Sequence, residues 1–121
     1  MTQVSVRYIV NNVDEAIPFY TDHLGFSVDM HPAPGFAALS RGDLRLLLNQ
    51  PGAGGAGQNS PSPGGWNRIQ IEVADVEETA AQMRQAGARL RSDVITGNGG
   101  KQVLAEDPSG NPVELFQPFP T

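Results

Sequence analysis

The feature that most constrains this chain is an internal repeat. Each half opens with a strand-like run, residues 4–10 and 67–73, that leads directly into a helix-start signal. Residue 10 matches residue 73, an offset of 63, and residue 50 matches residue 117, an offset of 67. A nearly constant offset across a whole half indicates a duplicated supersecondary unit. One small unit buries only one face of its sheet, so we expect the two halves to share a sheet.

The helix expected in each half has a recognisable start and end. The starts have capping-box spacing, with Asn12 before Glu15 and Asp75 before Glu78, and the ends fall at Gly25 and Gly87. Pro18 conflicts with the first helix, because a proline in a regular helix interior costs about 3 kcal/mol. We therefore expect a loosened first turn, or a later start near Asp14.

Three strand-like segments follow each helix. They cover residues 26–30, 36–40 and 44–49 in the first half, and residues 89–95, 102–106 and 112–117 in the second. Each half is then a βαβββ module. The sequence predicts a single α+β domain over residues 1–121, in which two modules form a cupped sheet of mixed or antiparallel strands with the helices outside. The modules span about 1–51 and 66–121, and a linker rich in Gly, Pro and Ser spans 52–65.

Composition excludes several classes of protein. The chain has no cysteine, so it has no disulfide, thiolate metal site or thiol nucleophile. A net charge of −5 is unfavourable for binding nucleic acid or an anionic membrane surface. No apolar run approaches the roughly 20 residues that span a bilayer, and the N-terminus has no signal-peptide pattern. We predict a soluble, cytoplasmic protein with neither nucleic acid nor membrane as a partner.

Three sequence strings resemble a known superfamily. They are DEAIPFYTDHLGF at residues 14–26, DPSGNPVELFQ at residues 107–117, and Asp75-Val76 with Gly87-Ala88. Together with the duplicated βαβββ order, they resemble the vicinal oxygen chelate superfamily of glyoxalase I, bleomycin-resistance proteins, fosfomycin-resistance enzymes and extradiol dioxygenases. The resemblance implies a small-molecule cleft inside the cupped sheet, in a homodimer. It does not fix a reaction, because this fold hosts several.

The resemblance also implies four positions for metal ligands. These are one residue near the start of each module's first strand and one on each module's last strand, here Ser5, Arg68, Leu47 and Glu114. Only Glu114 is a competent ligand, whereas Zn, Fe or Mn needs about three or four protein ligands. We therefore predict no cofactor and no metal at these positions. A divalent metal held through other ligands stays open as part of the alternative function.

Something else must then occupy the cup, and strand alternation names the candidates. Successive side chains of a strand point to opposite faces, so polar side chains of several strands share the cupped face. The predicted ligand-binding residues are Arg7, Arg68, Gln70, Glu72, Glu114, Trp66 and Phe116. Arg68 either pairs with Glu114 and fills the lost metal site or receives a polar ligand, and both hold if the ligand competes for the pair. General-base chemistry by Glu114 or Glu72 is a further alternative.

Two classes of function follow. The first is a binding protein, similar to metal-independent bleomycin-resistance proteins, that holds a polar or drug-like ligand without a catalytic metal. The second is an enzyme with a metal or an altered metal site, similar to glyoxalase-type lyases or isomerases and to dioxygenases. A small regulatory module is a third alternative. The residues leave open which ligand is bound and whether the protein catalyses a reaction.

Overall fold

The chain folds into two compact units, residues 1–64 and 65–121. The computed structural model describes residues 4–52, 62–65 and 67–120. Most of the predicted linker, residues 53–61, and Trp66 lie outside the described residues. That the two units make up one domain with a single cup stays a prediction.

The described part of the first unit contains one α-helix, a π-helical segment and four strands. In chain order these are β1 (Val4–Ile9), α1 (Val13–Pro18), a π-helical segment (Phe19–His23), β2 (Ser27–Ala33), β3 (Phe36–Arg41) and β4 (Leu44–Asn49). The sheet order is β1-β4-β3-β2, with β1 parallel to β4 and the other pairs antiparallel. All four predicted strands are present, within three residues at each end.

The described part of the second unit repeats this order without a π-helical segment and with two short strands in the place of β2. It contains β5 (Ile69–Glu72), α2 (Val76–Gln85), β6 (Arg89–Leu90), β7 (Ile95–Thr96), β8 (Gly100–Glu106) and β9 (Pro112–Pro118). The sheet order is β5-β9-β8-β6, with β7 also on β8 and with β5 parallel to β9. The α+β class is therefore confirmed, as two sheets of mixed strand direction.

One predicted strand is divided. Residues 89–95 form two short strands, β6 and β7, instead of one continuous strand. The break falls at residues 91–94, where the Ser92 carbonyl accepts a hydrogen bond from Arg84 Nη2 of α2 at 2.9 Å. This contact joins the break to α2, and strand pairing with β8 resumes at Ile95.

The same two hydrogen bonds are made at the start of each helix, so the repeat is also present in individual hydrogen bonds. The predicted caps are present: Asn12 Oδ1 accepts from Glu15 N at 2.9 Å, and Asp75 Oδ1 accepts from Glu78 N at 3.0 Å. A glutamine at the end of the last strand of each unit accepts from the first helical N–H: Gln50 Oε1 from Val13 N at 3.1 Å, and Gln117 Oε1 from Val76 N at 2.9 Å. Two of the four unpaired N–H groups of each helix are satisfied in this way.

The relief expected for Pro18 was wrong. The helix α1 begins at Val13, directly after a regular cap at Asn12, and its first turn is not loosened. Pro18 is instead the last α-helical residue, and the chain changes to the wider π pattern over Phe19–His23. Proline has no N–H to donate to the carbonyl four residues earlier, so the regular α-helical ladder is already incomplete at Pro18, and the π pattern begins at the next residue.

One face of each sheet is buried. In the first unit, Tyr20 is fully buried and its ring contacts those of Tyr8, Phe19 and Phe26 edge-on. In the second unit α2 packs on β8 and β9, and the buried apolar strand positions include Ile71, Val103, Ala105, Val113 and Leu115. Alternation sends the side chains between these positions to the opposite face of the sheet. Among the described residues, no helix is long and apolar enough to cross a bilayer.

Candidate functional site

The candidate site lies on the face of the second sheet that is opposite α2. Strand β5 places Gln70 directly across from Glu114 of β9, and β8 places Leu104 on the other side of Glu114. Arg68 immediately precedes β5 and has the same parity as Gln70. The alternation predicted from the sequence therefore brings a guanidinium, an amide and a carboxylate to adjacent positions.

These three side chains are hydrogen bonded to each other. Arg68 contacts Glu114 Oε1 through Nη2 at 3.1 Å and through Nε at 3.2 Å. Gln70 Nε2 donates to Glu114 Oε2 at 2.7 Å. The Glu114 side chain is only 12% exposed, whereas that of Arg68 is 32% exposed. The predicted Arg68–Glu114 pair is present, and both carboxylate oxygens of Glu114 accept from a neighbour.

The four positions where the resemblance implies metal ligands do not fit a divalent metal. Both oxygens of Glu114 are engaged, and the guanidinium of Arg68 places a positive charge beside them. In the first unit Leu47 has no donor atom, and the Ser5 hydroxyl accepts from Arg45 Nε at 3.1 Å. Across the described ranges no three His, Cys, Asp or Glu side chains are grouped as a metal would need.

Arg7 belongs to the first unit, where it has a different partner. Its register position opposite Leu47 corresponds to that of Gln70 opposite Glu114. Arg7 Nη1 donates to Asn49 Oδ1 at 2.8 Å, and Asn49 is fully buried. The hydrogen bond orients the guanidinium of an otherwise exposed residue. The convergence of Arg7 with the site of the second unit stays a prediction, and Trp66 lies outside the described residues.

The remaining two predicted residues, Glu72 and Phe116, face each other across β5 and β9. Phe116 is half-buried and Glu72 is exposed. Beyond them an open cleft of about 750 Å³ is lined by Glu72, Val73, Ala74, Gln117, Pro118, Phe119 and Pro120. Of these residues sequence reasoning named only Glu72 and missed the other six, among them the last three. The sequence feature that could have indicated the last three is the Pro-Phe-Pro string itself. It places two proline rings and an aromatic ring directly after the strand predicted over 112–117.

Comparison with known proteins identifies the family. The chain belongs to the Glyoxalase/Bleomycin resistance protein/Dioxygenase superfamily, whose family model matches residues 2–115. The resemblance read from the sequence strings is thereby confirmed.

Similar proteins match along nearly the whole chain. An uncharacterized protein of Mycolicibacterium smegmatis (strain ATCC 700084 / mc(2)155) is 28% identical over 122 residues, which cover 98% of each chain. A superfamily member from Sphaerobacter thermophilus DSM 20745 is 22% identical with a TM-score of 0.79, over 97% of each chain. TnmS3, an antibiotic binding protein from Streptomyces sp. CB03234, is 23% identical with a TM-score of 0.76, over 98% of each chain. At such identities the two solved structures show the shared fold alone.

Proposed function

We propose that this protein binds a small polar or drug-like molecule on the polar face of its second unit, without a catalytic metal. The observation that carries the proposal is the Arg68–Glu114 pair, completed by Gln70. It puts a fixed cation and a satisfied carboxylate where the family resemblance implies a metal ligand. The description of TnmS3 as an antibiotic binding protein supports a drug-like ligand.

The difference in exposure between the two side chains supports contact of a ligand with Arg68 before Glu114. Arg68 is the more accessible member, at 32% against 12% for the side chain of Glu114. A ligand carboxylate or phosphate can take over the guanidinium, because arginine presents its donors as a planar fork. Glu114 keeps its 2.7 Å hydrogen bond from Gln70 when this happens. Both compatible interpretations of the pair then hold, since the ligand competes for Arg68.

The surroundings of the pair offer apolar contact as well. Leu104 lies beside Glu114 on β8, and Phe116 lies two residues further along β9. Both are half-buried, so each leaves part of an apolar side chain for a ligand to cover. Ligand sites commonly combine apolar lining with a few well-placed polar groups. A molecule with one polar group and an apolar body matches this arrangement.

We further propose that the protein works as a cytoplasmic homodimer, with neither nucleic acid nor membrane as a partner. The net charge of −5 supports the exclusion of polyanionic partners. Light scattering coupled to size-exclusion chromatography measures the oligomeric state directly. A mass equal to a single chain of 12.9 kDa at micromolar concentration would contradict the dimer.

Metal analysis and ligand screening of the purified protein test the function together. We expect no stoichiometric metal by plasma mass spectrometry, and a rise in melting temperature with at least one member of a panel of antibiotics and metabolites. Arg68→Met should abolish that rise. The matched control is Arg89→Met, since Arg89 is 72% exposed and pairs with Glu106 in the same unit.

Two outcomes would contradict the proposal. Stoichiometric Zn, Ni, Fe or Mn after mild purification would favour the alternative, a metal-dependent enzyme of the superfamily. If every ligand-induced shift in the panel were left equally intact by Arg68→Met and by Arg89→Met, the Arg68–Glu114 pair would not be part of the site.

A further inference from the structure

The cleft beyond Glu72 has one wall that is held in place by backbone pairing. Strand β9 continues to Pro118, which is paired with Gly100 of β8, and Phe119 N donates to Gly99 O at 3.0 Å. The two backbones approach closely, because a Cβ added at Gly100 would overlap the carbonyl oxygen of Gln117 and lie 2.9 Å from Pro118 Cα. The Pro-Phe-Pro segment is therefore bonded to β8 and the residue before it as far as Phe119.

The opposite wall is held equally well. Val73 N donates to Phe116 O at 2.9 Å, which ties the end of β5 to β9. The Gln117 side chain is held by Val76 N at 2.9 Å, so its oxygen is committed to the start of α2. Both walls of the cleft are thus fixed in the free protein. Ligand binding therefore costs little conformational entropy of the protein at these walls.

The charge of the cleft has one sign. Among the described residues that line it, Glu72 is the charged one, and none is Lys, Arg or His. Within the described part of the chain, the Glu72 carboxylate has no hydrogen bond or ion pair. Lys101 lies on β8, two strands away from Glu72, and its Nζ is 3.7 Å from Glu77 Oε2. The cleft therefore presents an uncompensated negative charge.

Ring surfaces complete the lining. Pro118 and Pro120 flank Phe119, which is 40% exposed. The face of an aromatic ring attracts a cation, most strongly one whose methyl groups also make apolar contact. A carboxylate together with an aromatic ring is the combination that recognises substituted ammonium groups. Apolar rings without the carboxylate would not select charge, and the carboxylate alone would not select an organic cation.

We propose that this cleft binds the substituted ammonium group of an organic cation whose remaining part is apolar or aromatic. The inference rests on the proposed small-molecule binding function and names a chemical class for the ligand. The volume of about 750 Å³ falls in the range of sites for drug-sized molecules. In this arrangement the cation faces Glu72 and Phe119, and the rest of the molecule extends toward the sheet face that carries Phe116.

The test uses benzyltrimethylammonium as the probe, with benzyl alcohol as its uncharged aromatic counterpart. Isothermal titration calorimetry and saturation-transfer NMR are expected to show binding of the cation to the full chain and much weaker binding of the alcohol. Glu72→Gln should weaken the cation about tenfold, and Phe119→Leu should weaken it severalfold. The matched control is Glu78→Gln, which removes the same charge from an exposed position on α2.

The outcomes separate this inference from the function on which it rests. Equal affinities for Glu72→Gln and Glu78→Gln, or no binding of the cation by the full chain, would overturn the ammonium site. Either result leaves the proposed function standing if a panel ligand still depends on Arg68. Arg68→Met should not change the affinity for benzyltrimethylammonium. Unchanged melting temperatures of the variants would exclude misfolding as the cause of weaker binding.

Discussion

Substituting Arg68 and Glu114 singly and together measures how much their interaction contributes to the free energy of unfolding. A fully buried ion pair costs about 3–5 kcal/mol when one partner is removed, because the other charge is left uncompensated. Arg68→Met should cost less, about 1–2 kcal/mol. The carboxylate retains its 2.7 Å hydrogen bond from Gln70, and water can reach the place that a 32% exposed side chain leaves.

The partner substitution, Glu114→Leu, should also cost about 1–3 kcal/mol, since it leaves the guanidinium and the Gln70 amide without their acceptor. The leucine shape suits a strand at this point, because Leu47 has the equivalent register position in the first unit. The double variant removes both charges together. Its loss of stability should fall short of the sum of the two single losses by about 1–2 kcal/mol.

Urea unfolding followed by far-ultraviolet circular dichroism gives the four free energies of this cycle. Arg89→Met serves as the control and should change stability by less than about 0.5 kcal/mol, as exposed arginines do. Single losses that add to within about 0.3 kcal/mol would refute the reasoning, because independent sites add in this way. So would two single variants as stable as the control.

Three further predictions concern the frame around the site. Gly100→Ala should lower stability by about 3 kcal/mol or more, because the new methyl group meets backbone atoms of Gln117, whereas Gly99→Ala, with its nearest neighbour at 3.9 Å, should change the melting temperature little. Gln117→Leu leaves Val76 N without its acceptor and should cost about 1–3 kcal/mol in urea unfolding; an unchanged midpoint would show that water replaces the amide. Asp75→Ala removes a cap and should cost about 1 kcal/mol by the same assay, and no loss would show that the cap is not needed.

Some of the site could be predicted because it depends on strand parity alone. The pairing of Arg68 and Gln70 with Glu114 needs only the period of two along each strand and the approximate register of β5 and β9. Both follow from the alternation in residues 67–73 and from the repeat. The duplicated helix starts were also predictable, because helix caps depend on residues close together in the sequence.

Other features needed the packed chain. At the division of the strand predicted over 89–95, Arg84 reaches Ser92 from a different element. The change to a π pattern after Pro18 depends on how the following turn packs, with Tyr20 fully buried among other rings. Pro18 signals an irregularity in the first helix, but the residues 91–94 at the divided strand give no such signal.

The linear order of residues determines the repeat, the two βαβββ units and the side of each strand that carries charge, because these depend on periodicity and on neighbours close along the chain. Tertiary structure alone decided that the chain forms a cleft between Glu72 and the Pro-Phe-Pro segment. The physical reason is that the cleft depends on the close approach of β8 and β9 at Gly100 and on the tie between Val73 and Phe116. Contacts between segments far apart in the chain set these distances, and no local pattern encodes them.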